Sequence, residues 1–254
     1  MTPIELSIKR KIESVGIPLK DWNIQINYGI KTGFNDAFII SCEKRDEILS
    51  NCATEEERSK TDEIIRPILR GRDIKRYGYN WAELWLINTH NGVKGRIPRI
   101  KIEEYPAIKA HLDLYWDKIK DRADQGDTPY NLRNCAYLEE FLKPKIVYRE
   151  IGFEMDACMV PEGWFVNNKL YLVTGDRIEY LLAFLNSKAF NKIILASANL
   201  TGGKGVDFME KVRVPLEQGL INAILSTREE NKIDEIFNSF FGLSEEEKEF
   251  LFLD

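Results

Sequence analysis

The stretch from Ile64 to Trp81 gathers cationic and aromatic side chains of the kind that contact nucleic acids. Its cations are followed at once by Tyr77, Tyr79 and Trp81. Arginine offers a planar fork of donors that fits a phosphate or the O6/N7 edge of guanine, and aromatic rings stack on bases. The alternative is a solvated face whose tyrosines cover the core, and composition leaves both readings open. The cations are Arg66, Arg70, Arg72, Lys75 and Arg76.

Three further polar stretches carry side chains of the same kind. "NGVKGRIPRIK" (91–101) spaces its cations with glycines and a proline, which suits a flexible loop that follows a phosphate backbone. "DRADQGDTPYNLRNC" (121–135) is a turn-rich loop whose Arg, Asn and Gln side chains can read base edges. "GIKTGFNDAF" (29–38) has the spacing of a strand connection, and its Lys, Thr and Asn are candidates for phosphate contact.

Two motifs resemble catalytic or nucleotide-binding signatures without completing them. "TGGKG" (201–205) fails the Walker A spacing, because Ala198 and Gly205 stand where a glycine and a Ser/Thr are required. It is either a simple turn or a glycine loop that brings Lys204 to a phosphate. "DTPY" (127–130) resembles the Asn/Asp-Pro-Pro-Tyr/Phe tetrapeptide of amino-methyltransferases. Thr128 replaces the first proline, however, and no Gly-rich strand–turn–helix precedes the motif. We therefore assign no catalytic residue to the chain.

Taken together, these stretches favour DNA over a small metabolite as the ligand, because several polar loops carry suitable side chains on one β-rich framework. We predict DNA contacts at Lys31, Thr32, Asn35, Arg70, Arg72, Lys75, Arg76, Lys94, Arg96, Arg99, Arg122, Asn131, Arg133 and Lys204.

Composition excludes other classes of site. The four cysteines and two histidines show no zinc-ligand spacing, so we predict no metal. No apolar run approaches the roughly 18 residues of a membrane span. The charged, amphipathic N-terminus does not read as a signal peptide. We expect a soluble, cytoplasmic protein with no membrane partner.

Charge is distributed unevenly along the chain. The net charge is −5, yet residues 60–101 hold ten Lys/Arg against four Asp/Glu, whereas residues 227–254 hold three against nine. The acidic C-terminal segment also carries an apolar stripe between Leu220 and Phe240, which we expect to pack on a partner helix or domain. The alternative function is therefore a protein-interaction or scaffold domain that pairs through its acidic C-terminal helices.

The periodicity predicts an α+β fold. It indicates a helix at 3–15, strands at 22–27, 37–40 and 83–87, and a helix within 103–120. Four short strand candidates follow between 145 and 174. A helix then begins near 177 and breaks at Asn186-Ser187, and helices fill the C-terminal segment. The predicted core is β-rich, mixed or antiparallel, with long polar loops, and is framed by N- and C-terminal helices.

In order, these stretches resemble the TaqI-like C-terminal specificity domain of type IIG and related restriction–modification enzymes. The resemblance covers nearly the whole chain and is carried by "INYGIKTGFNDAFII", "IIRPILRGRDIKRY", "DQGDTPYNLRNCAY", "FLKPKIVYREI", "YLLAFLNSKAF", "TGGKGVDFMEKVRVP" and "IDEIFNSFFGLSEEE".

The resemblance implies a sequence-specific recognition domain for double-stranded DNA that has no catalytic activity of its own. It implies as partner an upstream adenine-N6 methyltransferase domain or subunit, which supplies the Asn-Pro-Pro-Tyr motif and binds S-adenosylmethionine. No cofactor is expected in this chain, which we expect to be one part of a longer enzyme. The expected divisions are a connecting helix (1–20), a target-recognition domain (21–214) and a C-terminal helical segment (215–254).

Overall fold

The computed structural model describes residues 1–199 and 205–253. The helices are α1 (Pro3–Val15), α2 (Asn35–Phe38), α3 (Cys42–Ser50), α4 (Glu55–Ile64), α5 (Pro106–Asp113), α6 (Trp116–Ile119), α7 (Ile178–Leu185), α8 (Ala196–Asn199), α9 (Val206–Lys211), α10 (Gln218–Leu225), α11 (Glu230–Phe240) and α12 (Glu245–Phe252), with a π-helical segment over Phe190–Leu195. The strands are β1 (Ile17–Pro18), β2 (Ile24–Tyr28), β3 (Ile39–Ser41), β4 (Ile65–Leu69), β5 (Ile74–Lys75), β6 (Gly78–Tyr79), β7 (Leu84–Ile87), β8 (Lys145–Arg149), β9 (Cys158–Val160), β10 (Phe165–Val166), β11 (Leu170–Gly175) and β12 (Arg213–Val214).

Two four-stranded sheets form the centre of the molecule, and the predicted α+β class is confirmed. One sheet has the order β2-β11-β8-β9 and is antiparallel throughout. The other has the order β10-β4-β7-β3 and is mixed, because β10 runs parallel to β4. The pair β1–β12 joins the N-terminal segment to the strand that precedes the C-terminal helices.

The antiparallel sheet is buried on both faces. Ile146 and Tyr148 of β8 belong to a first core, which also contains the apolar side chains of α1, α7 and the C-terminal helices. Val147, between them in sequence, belongs to a second core built around β4, β7 and α5. Successive side chains of a strand point to opposite faces, so a strand that serves two cores reads as a continuous apolar run. This explains the sequences "KIVY" and "LYLV".

The C-terminal helices pack on their own chain. Phe237 of α11 is fully buried, and its ring centroid lies 5.5 Å from that of Phe184 in α7. Lys11 of α1 pairs with Glu247 of α12 at 2.6 Å. The partner that the sequence predicted for the apolar stripe is therefore largely α7 and the rest of the first core. The helix α1 and the C-terminal helices thus share one core. The division into three segments stays a prediction.

Two element predictions need correction. Residues 37–40 were expected as a strand, but Asn35–Phe38 forms one helical turn and the strand begins at Ile39. Ala37 and Phe38 are both buried, a neighbouring pair that a helical turn can direct inward and a strand facing one core cannot. The helix expected within 103–120 is interrupted at Leu114, which is exposed between α5 and α6.

None of the helices in the described part of the chain is both long enough and apolar enough to cross a bilayer.

Candidate nucleic-acid interface

Three loops meet around two adjoining depressions on one side of the protein. The first depression, of about 610 Å³, is lined by residues 91–99 together with Asp127 and Asn134. The second, of about 570 Å³, is lined by residues 28–31, residues 132–137 and Asn168. Asn134 lines both, so the two depressions are neighbours.

A third depression continues the same surface. It measures about 320 Å³ and includes Arg72, Arg149 and Lys169 in its wall. Lys169 directly follows Asn168 of the second depression, in the turn between β10 and β11. We call the combined lining the loop face: residues 28–31, 71–72, 91–99, 127, 132–137, 149–151 and 168–169.

A buried arginine holds two of these loops together. Arg122 Nε donates to the carbonyl oxygen of Thr32 at 2.9 Å, and Nη2 donates to that of Asn131 at 2.5 Å. Nη1 donates to the carbonyl oxygens of Pro129 and Ile119. Burial lowers the pKa of Arg122 to about 10, although the nearby Asp124 carboxylate acts in the opposite direction. The side chain thus fixes the shape of loop 121–135 and attaches it to loop 29–38.

Asn131 performs a similar task between loop 121–135 and loop 91–101. Its Nδ2 donates to the carbonyl oxygen of Ile100 at 2.9 Å, and its Oδ1 accepts from Thr128 Oγ1 at 2.7 Å. The backbone N–H of Leu132 donates to the carbonyl of Thr89. Because these bonds are partly buried, they hold the loops together as one unit.

The structure revises the role of three predicted DNA contacts. Thr32 is 3% exposed, Arg122 7% and Asn131 2%, and each makes hydrogen bonds inside the protein. These side chains therefore face inward and position the loops. Their burial does not favour a DNA contact, and that assignment stays a prediction.

Exposed cations on the loop face are held by carboxylates. Asp124 lies between Lys31 and Arg133, at 3.0 Å and 3.1 Å, so two positive charges share one negative charge. The two cationic side chains remain 49% and 54% exposed. Exposed ion pairs of this kind contribute only about 0–1 kcal/mol, so a phosphate can replace the carboxylate.

Loop 91–101 supplies a second set of cations. Arg99 pairs with Asp127 at 3.0 Å and Arg96 with Glu139 at 2.6 Å. Lys94 is exposed at the tip of the loop and has no hydrogen-bond or ion-pair partner among the described residues. Asn35, also exposed, accepts a hydrogen bond from Thr32 Oγ1 at the edge of loop 29–38.

The basic stretch that dominated the sequence is mostly tied to other parts of the chain. Arg70 forms a two-pronged pair with the buried Asp73, and Arg76 pairs with Glu230 at 2.8 Å. Of the four predicted contacts in this stretch, only Arg72 lines the loop face. Lys75 is exposed on β5, away from the three depressions.

The aromatic residues of the same stretch pack on one another. Trp81 lies with its ring centroid 5.0 Å from Trp164 and 5.2 Å from Trp85, and Tyr79 lies 5.4 Å from Trp164. Burial raises the pKa of Tyr77 to about 12. The structure thus favours the alternative in which these aromatic side chains cover the core.

Side chains of the segment 127–130 are also bound within the protein. The Asp127 carboxylate accepts from Arg99 and Asn91. Tyr130 donates its hydroxyl to Asp113 at 2.6 Å and packs against Trp116. Lys204, the remaining predicted contact, lies outside the described residues, as do residues 201–203 of the predicted glycine loop.

Sequence reasoning missed several residues of the loop face. Tyr28, Asn91, Asn134, Asn168 and Lys169 are not among the predicted contacts. The Asn91-Gly92 pair and the Asn167-Asn168 pair are turn signals, and both precede a change in chain direction. Such signals locate a turn, but they do not show which turns end up on the same surface.

Comparison with known proteins gives one family and two solved structures. A sequence profile of the TaqI-like C-terminal specificity domain matches residues 66–206. The type IIL restriction–modification enzyme MmeI in complex with DNA shares the fold, with a TM-score of 0.57 at 14% identity over 92% of this chain. The type IIG restriction endonuclease BpuSI matches with a TM-score of 0.49 at 15% identity over the same share. The chain covers 35% of the length of MmeI and 27% of that of BpuSI. No curated protein gives a significant match.

Proposed function

Because this chain belongs to the TaqI-like C-terminal specificity domain family, we propose that it recognises a specific sequence in double-stranded DNA through its loop face. The fold is that of a region of MmeI, an enzyme solved with DNA. A role in DNA recognition thus agrees with both the family and the fold.

The proposal rests on one observation: the three loops meet on a single surface, the loop face. Internal bonds to Arg122 and Asn131 fix the loop backbones, so exposed cations and amides project from a rigid support. Cations at the edge of such a surface bind phosphates and set the register, while amides and guanidinium groups inside it reach base edges. A small metabolite would need an enclosed pocket, whereas the depressions here are open to solvent and adjoin at Asn134.

The finer part of the proposal concerns the rest of the enzyme. We infer that the chain holds target DNA against an adenine-N6 methyltransferase domain or subunit, which binds S-adenosylmethionine and modifies a flipped adenine. This division of labour is what the resemblance to type IIG enzymes implies. In this scheme the chain itself carries out no catalytic step.

Two other functions receive less support. A scaffold domain that pairs through its C-terminal helices would need an available apolar stripe, but Ile233 and Phe237 are buried in the first core. A methyltransferase centred on residues 127–130 would need Asp127 and Tyr130 to be available, and both are engaged. Calorimetric titration of the chain with S-adenosylmethionine tests the second alternative, and a measurable heat of binding would revive it.

The proposed function is tested by the salt dependence of DNA binding. Lys94 and Arg133 are exposed on the loop face, so we expect the double variant Lys94→Gln, Arg133→Gln to bind duplex DNA more weakly. Each lost phosphate contact lowers the slope of log affinity against log salt by about 0.9, so the slope should fall by about 2 between about 50 mM and about 200 mM salt. Fluorescence anisotropy with a labelled random duplex measures both quantities.

A matched control removes the same charge elsewhere. Lys232→Gln with Lys248→Gln neutralises two cations on α11 and α12, and this variant should keep the wild-type slope. Equal losses in both double variants would mean that net charge alone governs binding. Wild-type binding that does not change with salt would contradict a phosphate-contacting surface.

A further inference from the structure

Asn134 is the one residue that lines both the first and the second depression. Its side chain is exposed, and it stands where loop 121–135 meets loop 91–101. A side chain in this position lies at the centre of the loop face. The direction in which its amide points therefore bears on what the face can recognise.

A chain of hydrogen bonds fixes that direction. The backbone N–H of Asp127 can only donate, and it donates to Asn91 Oδ1 at 2.9 Å. The Asp127 carboxylate can only accept, and it accepts from Asn91 Nδ2 at 3.0 Å. These two bonds settle which end of the Asn91 amide is nitrogen. Asn91 Nδ2 then donates its second hydrogen to Asn134 Oδ1 at 2.5 Å.

The same bonds leave Asn134 with one free end. Its oxygen faces Asn91, so its Nδ2, which carries two hydrogens, points away from that partner and has no acceptor among the described residues. Gly126 makes this arrangement possible, because a Cβ there would lie 2.5 Å from Asn91 Oδ1. Arg99 completes the network through its pair with Asp127.

We propose that Asn134 is a specificity-determining residue that reads a base edge offering hydrogen-bond acceptors. In the major groove guanine presents two acceptors through O6 and N7, and thymine presents one through O4. An asparagine usually pairs with adenine through both amide ends, donating to N7 and accepting from N6. Here one lone pair of Oδ1 already accepts from Asn91 and the oxygen faces that partner, so the N6 donor of adenine and the amino group of cytosine meet a less available acceptor. Asn134 thus favours guanine or thymine at one position of the target.

This assignment rests on the proposed function, and one substitution separates the two. Asn134→Asp keeps the shape of the side chain and can still accept from Asn91 Nδ2, but it replaces the free donor by an acceptor. Selection of duplexes from a random library by the full chain, followed by sequencing, gives the motif for each protein. The wild type is expected to enrich guanine or thymine at one position, and Asn134→Asp to shift that position toward cytosine by about tenfold.

Two further variants test the role of Asn134. Asn134→Ala should lose preference at that position and keep the rest of the motif. Asn231→Asp introduces the same charge on α11, where the residue is exposed, and should leave the whole motif unchanged. If Asn134→Asp enriches the wild-type motif at every position, the assignment is wrong while the proposed function stands. If the wild type enriches no motif, the proposed function fails and the assignment fails with it.

Discussion

Arg122 donates from Nε to the carbonyl oxygen of Thr32 at 2.9 Å, and this bond joins residues that lie 90 positions apart in the chain. The guanidinium is also placed over the ring of Phe38, 4.5 Å from its centroid. The same guanidinium therefore contacts the second core through Phe38 and binds the loop backbone through its N–H groups. Any change to it should affect stability and DNA binding together.

Replacing Arg122 with Met should lower the free energy of unfolding by about 3 kcal/mol, since buried carbonyl oxygens lose a charged donor. Urea denaturation measures this loss. Arg122→Lys keeps a charge but offers fewer donors, so it should fall between wild type and Arg122→Met. DNA affinity should follow the same order. A fully stable Arg122→Met protein with normal affinity would show that the loops hold their shape without this residue.

Gly33 adopts a φ of +74°, and a Cβ there would lie 3.0 Å from Arg122 Cδ and 3.0 Å from Asp124 Cβ. Gly95 has nearly the same φ, +78°, and a Cβ added there would meet only open space. Both Ala variants incur the left-handed backbone penalty of about 1 kcal/mol. Gly33→Ala should lose about 1 kcal/mol more, because neighbouring atoms must also move. Equal unfolding midpoints for the two variants would contradict the tight contact with Arg122.

Glu247 links the last helix to the first. Burial raises the pKa of its carboxyl, but hydrogen bonds from Lys11, from the Ser244 backbone and from Ser7 outweigh burial and lower the pKa to about 2. In the unfolded chain the Glu247 carboxyl takes up a proton near its ordinary pKa of 4.5. The carboxylate therefore stabilises the fold above about pH 4.5, and that contribution is lost as the pH falls toward 2.

We expect Glu247→Gln to be less stable than wild type at neutral pH by about 1 kcal/mol, allowing for solvent screening. The difference should shrink steadily in acid and vanish near pH 2. Thermal unfolding at a series of pH values follows this convergence. Glu246→Gln changes an exposed position of the same helical turn. Its stability should vary with pH in the same way as that of wild type. If the difference in stability between wild type and Glu247→Gln stays constant with pH, the pKa of the Glu247 carboxyl is not lowered in the folded protein.

Lys145 is fully buried in β8, where its Nζ donates to the carbonyl oxygens of Pro161 and Trp164 at 2.9 Å and 3.2 Å. Burial lowers the pKa of its ammonium group to about 8, against a raising effect from Glu162. Between about pH 8 and about pH 10.5 the unfolded chain holds more protons on this lysine than the folded protein does. The contribution of Lys145 to the free energy of unfolding therefore rises with pH across that window.

Relative to Lys145→Met, wild type should gain about 3 kcal/mol of unfolding free energy between about pH 8 and about pH 10.5. Urea denaturation at matched pH values gives both curves. Lys143→Met, two residues away with a side chain 52% exposed, serves as the control and should show no such gain. Curves for wild type and Lys145→Met that stay parallel would mean that the buried lysine titrates normally.

Features set by neighbours in the sequence were predictable. Thr54 caps α4 through its bond to Glu57 N, and Ser244 with Glu247 forms the capping box of α12; each pair is three residues apart. The helix α7 ends at Leu185 with Asn186 as its cap, at the predicted break. These signals act over three or four residues, so composition and spacing contain them.

The candidate site depended on contacts that spacing does not contain. Arg122 and Arg133 lie in the same polar loop and look alike in sequence, yet one is buried under Thr32 and the other is exposed beside Asp124. Arg76 is bound by Glu230, 154 positions away. The pairing of Arg70 with Asp73, by contrast, spans three residues and was open to prediction. The sequence thus identifies polar loops, but it does not show which of their side chains are buried.

All the acceptors bound by Arg122 belong to the main chain: the carbonyl oxygens of Thr32, Ile119, Pro129 and Asn131. Every amino acid supplies a carbonyl, so this anchor places no chemical demand on the side chains at the positions it binds. Exposed neighbours such as Lys31, Arg133 and Asn134 can then be exchanged while the loop backbones keep their course. Under the proposed function, divergence toward new target sequences can proceed by surface substitution on an unchanged scaffold.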